Sequence, residues 1–222
     1  MPARGAKKPA DDEALRDAVL DAALKHAVFD GFTDKALASA GEEVGADKKA
    51  LARLFPQGPL SLVTAFSERA DAEMERRLAA MDLKSLKVRE RIAAAVKARI
   101  EAVRPWKEAA RRAAAFLTLP PHALLGAQLV YRTVDAMWRA AGDTSTDFNF
   151  YTKRGILGAV YTSTLMRWFA DTSPDESVTD QFLHDRIENV MQFERIKAQA
   201  RQALDRLPPL SDVLDAFNVR RG

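Results

Sequence analysis

From end to end, the apolar residues of this chain recur three and four positions apart, and nowhere do they alternate as a half-buried strand requires. That pattern excludes sheet architectures and sets an all-α fold of about nine or ten helices. The spacing predicts a first helix over Asp12 to Phe29, stopped by Gly31, and a short helix from Thr33 to Gly45. Asp47 caps another short helix that stops before Pro56. Longer helices follow over Pro59 to Met81, Val88 to Val103, Pro105 to Pro120 and His122 to Ala140, then Ser145 to Ala170 and Glu176 to Leu207. Pro208-Pro209 separates a last short segment, LSDVLDAFNVRRG.

Two of these helices are unusually apolar. In the seventh, Arg132, Asp135 and Arg139 share a narrow stripe, while Leu124, Tyr131, Val134 and Trp138 form one apolar row. The eighth has no charged residue between Arg154 and Arg167, and it contains Gly155 and Gly158. Each interior glycine costs about 1 kcal/mol relative to alanine, so a close approach to the backbone is expected there, by a neighbouring helix or a slender ligand. The longest run without charge, Ala113 to Tyr131, has Pro120-Pro121 in its middle, and so reads as a corner between two helices rather than a membrane span.

The 222 residues include no cysteine, which removes disulfides, thiolate metal sites and cysteine nucleophiles from consideration. A net charge of +3 is compatible with anionic lipid or nucleic acid without demanding either. His26, His122 and His184 lie far apart, none in the Glu-x-x-His spacing of a helix-bundle metal site. Nucleotide-binding glycine loops and serine-elbow patterns are absent. The expectation is a non-enzyme that needs no cofactor and no metal.

The order helix, Gly31-Phe32-Thr33, short helix, Gly45, short helix, Phe55, long helix is similar to the helix-turn-helix opening of TetR-type regulators. That resemblance implies a small N-terminal module followed by a larger helical ligand-binding domain, with the last two helices building a homodimer. It also gives the alternative function, a transcriptional regulator sensing an apolar ligand. Against DNA reading, Glu42, Glu43 and Asp47 lie beside Lys48, Lys49 and Arg53 and nearly cancel their field. Ala52 stands where that family usually has tyrosine, and Gly58-Pro59 where it usually has lysine.

The stretch MWRAAGDTSTDFNFYTKRGILGAVYTST from Met137, followed by DTSPD at 171 to 175, closely resembles the signature of the ubiquinone-biosynthesis lipid-binding accessory family, the ninth of the coenzyme Q set. The resemblance implies a TetR-like fold that binds isoprenoid quinone intermediates and assists the demethoxyubiquinone hydroxylase. It assigns partner contact to Met137, Asp147, Phe150 and Tyr151. Phe150 replaces the family's usual tryptophan, keeping a ring and losing a donor. Thr144 and Asp147 stand at capping-box spacing at the start of the eighth helix. Phe150, about 100° from Tyr151 around that helix, is expected to point elsewhere, and at least one ring of Phe148, Phe150 and Tyr151 is expected at the surface.

Spare apolar surface on the seventh and eighth helices then predicts a lipid cavity bordered by Leu124, Leu125, Val134, Val160, Tyr161 and Leu165. In the closing segment, Leu210, Val213, Leu214 and Phe217 fall on one helical face, with Arg220 and Arg221 beyond, as a reversible membrane attachment would have them. The expected domains are a disordered tail over 1–11, a helix-turn-helix-like module over 12–57, a helical lipid-binding domain over 58–207 and an amphipathic helix over 208–222. The N-terminus, MPARGAKKPADDE, carries no mitochondrial targeting pattern, so a bacterial protein, cytoplasmic and peripheral to the inner membrane, is expected.

Overall fold

The computed structural model describes residues 9–143 and 148–205. Among the described residues there are nine α-helices and no strand. These are α1 (Pro9–Asp30), α2 (Asp34–Val44), α3 (Lys48–Leu54), α4 (Pro59–Ala79), α5 (Val88–Val103), α6 (Lys107–Thr118), α7 (Ala123–Ala140), α8 (Phe148–Ala170) and α9 (Ser177–Asp205). The first helix begins three residues ahead of the expected Asp12, because Pro9 is tolerated in a first turn. The segment 208–222, with all six residues expected to meet a membrane, lies outside the described residues, as do Thr144 and Asp147.

The N-terminal module is built from caps legible in its sequence. Thr33 Oγ1 accepts a hydrogen bond from the Ala36 amide at 3.2 Å, and Asp47 Oδ1 accepts from the Ala50 amide at 2.7 Å. Gly45, at φ 73°, turns the chain out of α2 in a left-handed conformation that a side chain would disfavour. Leu20, Leu24, Ala36, Ala40 and Phe55 close the small core, into which Phe32 stacks on Phe66 from α4. Each such fully buried leucine contributes about 1.5–3 kcal/mol.

The larger part packs α4 against α5 and α7, α7 against α8, and α8 against α9. Val88–Thr118 and Pro120–Ala140 form two helical runs that meet at 94°, the corner expected from Pro120-Pro121. His122 locks that corner: its Nδ1 is 3.0 Å from the Phe116 carbonyl oxygen and its ring stacks on Phe116. Gly126 allows the close approach there, since a Cβ would stand 3.1 Å from the Leu117 carbonyl oxygen and crowd it. Among the described residues no single helix is long and apolar enough to cross a membrane.

The reading of the two glycines in α8 is corrected. A Cβ on Gly155 would meet nothing within 4 Å, and one on Gly158 would make only ordinary contact with Val130 at 3.6 Å. Neither marks a close approach to the backbone; tighter glycines lie elsewhere, at Gly41 against Leu51 and at Gly126 in the α6–α7 corner.

Candidate functional site

Two cavities flank α8. The first, about 430 Å³, lies between α4, α5, α6, α7 and α8. Alanines 110, 113 and 114 of α6 and Ala127 of α7 leave the space, and Phe66, Leu117 and Leu165 border it. The second, about 640 Å³, lies between α5, α7, α8 and α9 and is walled by Ile92, Ile156, Leu157, Val190 and Met191, with Trp138 beside it. Both volumes lie in the range of small-molecule sites, which combine apolar walls with a few placed polar groups.

The expected lining residues divide among different places. Tyr161 and Leu165 line the first cavity, and Val160 lines the second. Val134 is buried and Leu125 packs against the core, but neither borders either cavity. Leu124, 74 % exposed, points away from the core in the first turn of α7. The free space is therefore not a single slot between α7 and α8. Those helices touch, and the space opens on either side of their contact.

The first cavity has a polar wall that periodicity alone did not single out as a site. Arg99, 6 % exposed, donates from Nε to Asp71 Oδ1 at 2.7 Å. Thr133 Oγ1 donates to the same carboxylate at 2.9 Å and 3.1 Å. Arg99, Thr133, Ser67 and Tyr161 all line the cavity. Tyr161 is 4 % exposed, and burial, with the nearby Asp71 carboxylate, pushes its phenol above the ordinary value despite the Arg99 charge. It is a neutral hydroxyl at pH 7. A signal for Arg99 was present: it continues the buried stripe of Ile92, Ala95, Val96 and Val103 on α5, where a lone charge is out of place.

The aromatic start of α8 is anchored by a buried arginine. Arg154 Nε donates to Asp135 Oδ1 at 2.7 Å, and its Nη1 lies 3.3 Å from Asp143 Oδ2. Its guanidinium stacks on Phe150, which meets Tyr151 edge-on with centroids 5.1 Å apart. The expectation that these two rings point apart is therefore corrected: the half-buried Phe150 ring is held back against Arg154, and Tyr151, 68 % exposed, leans on its edge. Met137 is 0 % exposed, so its side chain offers no surface to a partner in this conformation. Trp138, whose Nε1 donates to the Lys153 carbonyl oxygen at 3.2 Å, brings the mouth of the second cavity next to this platform.

The DTSPD run proves to be a turn. Asp171 accepts from the Ser173 amide and hydroxyl and from the Thr179 amide and hydroxyl, which fixes the start of α9. Those hydrogen bonds, the Ser173 hydroxyl foremost, hold its carboxyl far below the usual carboxylate range. Among the described residues no cluster of three histidines or carboxylates is placed to hold a metal ion. On α3, Arg53 is tied to Asp12 at 2.6 Å, and on α2, Glu43 faces Lys25 and His26.

Residues 123–194, which comprise α7, α8 and most of α9, match the COQ9 family model. The chain is 32 % identical to "Ubiquinone biosynthesis protein COQ9, mitochondrial" of Homo sapiens over 186 residues, covering 81 % of this chain and 58 % of that protein. The corresponding protein of Drosophila melanogaster is 31 % identical over 196 residues, covering 86 % and 60 %. The chain thus spans about three fifths of the length of these relatives. In structure it is similar to a TetR transcriptional regulator from Nitrosomonas europaea, with a TM-score of 0.64 and 20 % identity over 79 % of this chain and 97 % of that one, a likeness of fold. The chain is thus similar to the COQ9 family over residues 123–194 and to these relatives across about four fifths of its own length.

Proposed function

We propose that this chain is a non-catalytic lipid-binding accessory protein of ubiquinone biosynthesis, one that holds an isoprenoid quinone intermediate and presents it to the demethoxyubiquinone hydroxylase at the membrane. The observation that carries the reading is the alanine-lined cavity of about 430 Å³ between α4, α5, α6, α7 and α8, a largely apolar volume with a few polar groups on one wall. A five-carbon isoprene unit costs on the order of 3–4 kcal/mol to expose to water, so a prenylated ring leaves the bilayer only into such a volume. The names of the relatives, which place those proteins in ubiquinone biosynthesis, support the pathway.

Presentation is supported by the platform of Phe150 and Tyr151, a ring pair held by Arg154 with one ring left at the surface. Rigid, partly exposed aromatics are what a docking hot spot requires. The platform's neighbour, the second cavity, offers a place where a tail could lie while the ring is handed over. Membrane attachment falls to the segment of Leu210, Val213, Leu214, Phe217, Arg220 and Arg221, and a homodimer through α8 and α9 is part of the same proposal. The regulator alternative is disfavoured by the ion pair that engages Arg53 and by the acidic neighbours of Lys48 and Lys49.

Extraction from liposomes tests the reading. Protein incubated with vesicles containing a prenylated benzoquinone and then separated from them should carry the quinone into the vesicle-free fraction. Quinone that stays wholly with the vesicles would refute it.

A further inference from the structure

The polar wall of the first cavity has more donors than the protein uses. Asp71 takes up Arg99 Nε and the Thr133 hydroxyl, so its carboxylate is committed. Among the described residues Arg99 Nη1 has no hydrogen-bonding acceptor, and Nη2 has only Ser67 Oγ at a distant 3.5 Å. The Tyr161 hydroxyl likewise makes no hydrogen bond among the described residues, though its side chain is more than nine-tenths buried and lines the cavity. Among the described residues Trp168 Nε1 is the one sealed side-chain polar atom without a partner, so the Arg99 and Tyr161 donors reach open space. Opening on one largely apolar volume, they are placed to meet an acceptor that enters it.

Charge narrows the class of that acceptor. Arg99 is already neutralised by Asp71, and Tyr161 is protonated, so the wall has donors and no net charge. A carboxylate or phosphate head would enter as an uncompensated buried charge, whereas a carbonyl or ether oxygen would gain hydrogen bonds at no such cost. From this geometry we infer that the cavity takes its lipid head first: a neutral oxygen-bearing ring, with its carbonyl or alkoxy oxygens on Arg99 Nη1 and Tyr161 Oη, lies inside, and its isoprenoid tail leads out past Leu117 and Met166. This rests on the lipid-carrier reading and adds the orientation and chemical class of the head. Arg99 and Tyr161 are then the specificity-determining residues.

The test compares three ligands by displacement of an apolar dye from the full chain: a benzoquinone with two isoprene units, the matching isoprenoid hydrocarbon without a ring, and oleate. Wild type should prefer the quinone to both others. Tyr161→Phe, which loses no hydrogen bond to the described residues, should weaken the quinone about three- to tenfold and leave the hydrocarbon unchanged. Arg99→Lys, which keeps the charge and removes Nη1, should do the same, with folding of both variants checked by thermal melting. The infrared carbonyl bands of the bound quinone should lie lower on wild type than on Tyr161→Phe. Equal affinity for quinone and hydrocarbon, with no effect of Tyr161→Phe, would overturn the head-first orientation and leave the carrier reading standing. Preference for oleate would overturn the neutral-head class. Binding of none of the three would overturn both readings.

Discussion

The Arg154 guanidinium carbon lies 3.3 Å from the centroid of the Phe150 ring, one turn earlier on the same helix. Arg154 is buried and shared between Asp135 at the end of α7 and Asp143 just after it. The ring therefore covers an ion-pair network that ties the two helices, and its position is fixed by the core rather than by solvent. Phe150→Ala removes this stacking at a cost of about 1–2 kcal/mol. Tyr151→Ala, at the exposed edge, should be nearly neutral for stability. Both should weaken association with the hydroxylase about tenfold or more while helical content stays constant. Circular dichroism and a binding titration check this, and unchanged affinity in both variants would remove the platform from the docking surface.

A plug distinguishes the two cavities. Ala114 lines the first, and Ala114→Phe places a ring in open volume, so stability should hold or rise while isoprenoid quinone binding falls about tenfold or more. Val190→Phe, in the second cavity, should leave that binding within about twofold. The reverse pattern in the dye-displacement assay would move the ligand to the second site.

Much of this architecture was legible in the residues. Thr33, Asp47 and Gly45 act through local backbone chemistry, so the helix-turn-helix module could be read from the sequence, as could the corner at Pro120. The site was only partly legible. Periodicity tells which side chains share a face and not whether a neighbour covers that face. Leu124 follows directly on the corner and is exposed among the described residues, while Tyr161 of α8 is buried beside a cavity that four other helices also line, yet both satisfy the same spacing. Gly155 and Gly158 misled for the same reason, since a glycine's propensity cost does not reveal what lies outside it. Asp71 and Arg99 come from the consecutive helices α4 and α5 and Thr133 from α7, and only the packing of these helices brings the three together.

The Asp171 turn makes stability depend on acid. Its carboxyl is held low in the folded chain by the Ser173 and Thr179 hydrogen bonds. A depressed folded-state value means that the contribution is present above the unfolded carboxylate value of about 4 and is lost as pH falls through the folded value. The urea midpoint should therefore drop between pH 5 and pH 3 more steeply in wild type than in Asp171→Asn (both pH values are about one unit either side of that unfolded value). Parallel slopes would show that the turn does not couple to protonation.

Membrane attachment, assigned to Leu210, Val213, Leu214, Phe217, Arg220 and Arg221, is tested by removing residues 208–222. Flotation with anionic liposomes should fall several-fold, and raised salt should weaken what the two arginines contribute. Undiminished flotation would assign membrane contact to another surface.

Mass spectrometry of the lipid that copurifies with the full chain tests carriage most directly. A prenylated benzoquinone intermediate, enriched over its share of the host's lipids and depleted from Ala114→Phe, is the expected result. Protein that purifies without lipid, or with phospholipids in the host's own proportions whether or not the cavity is plugged, would contradict it.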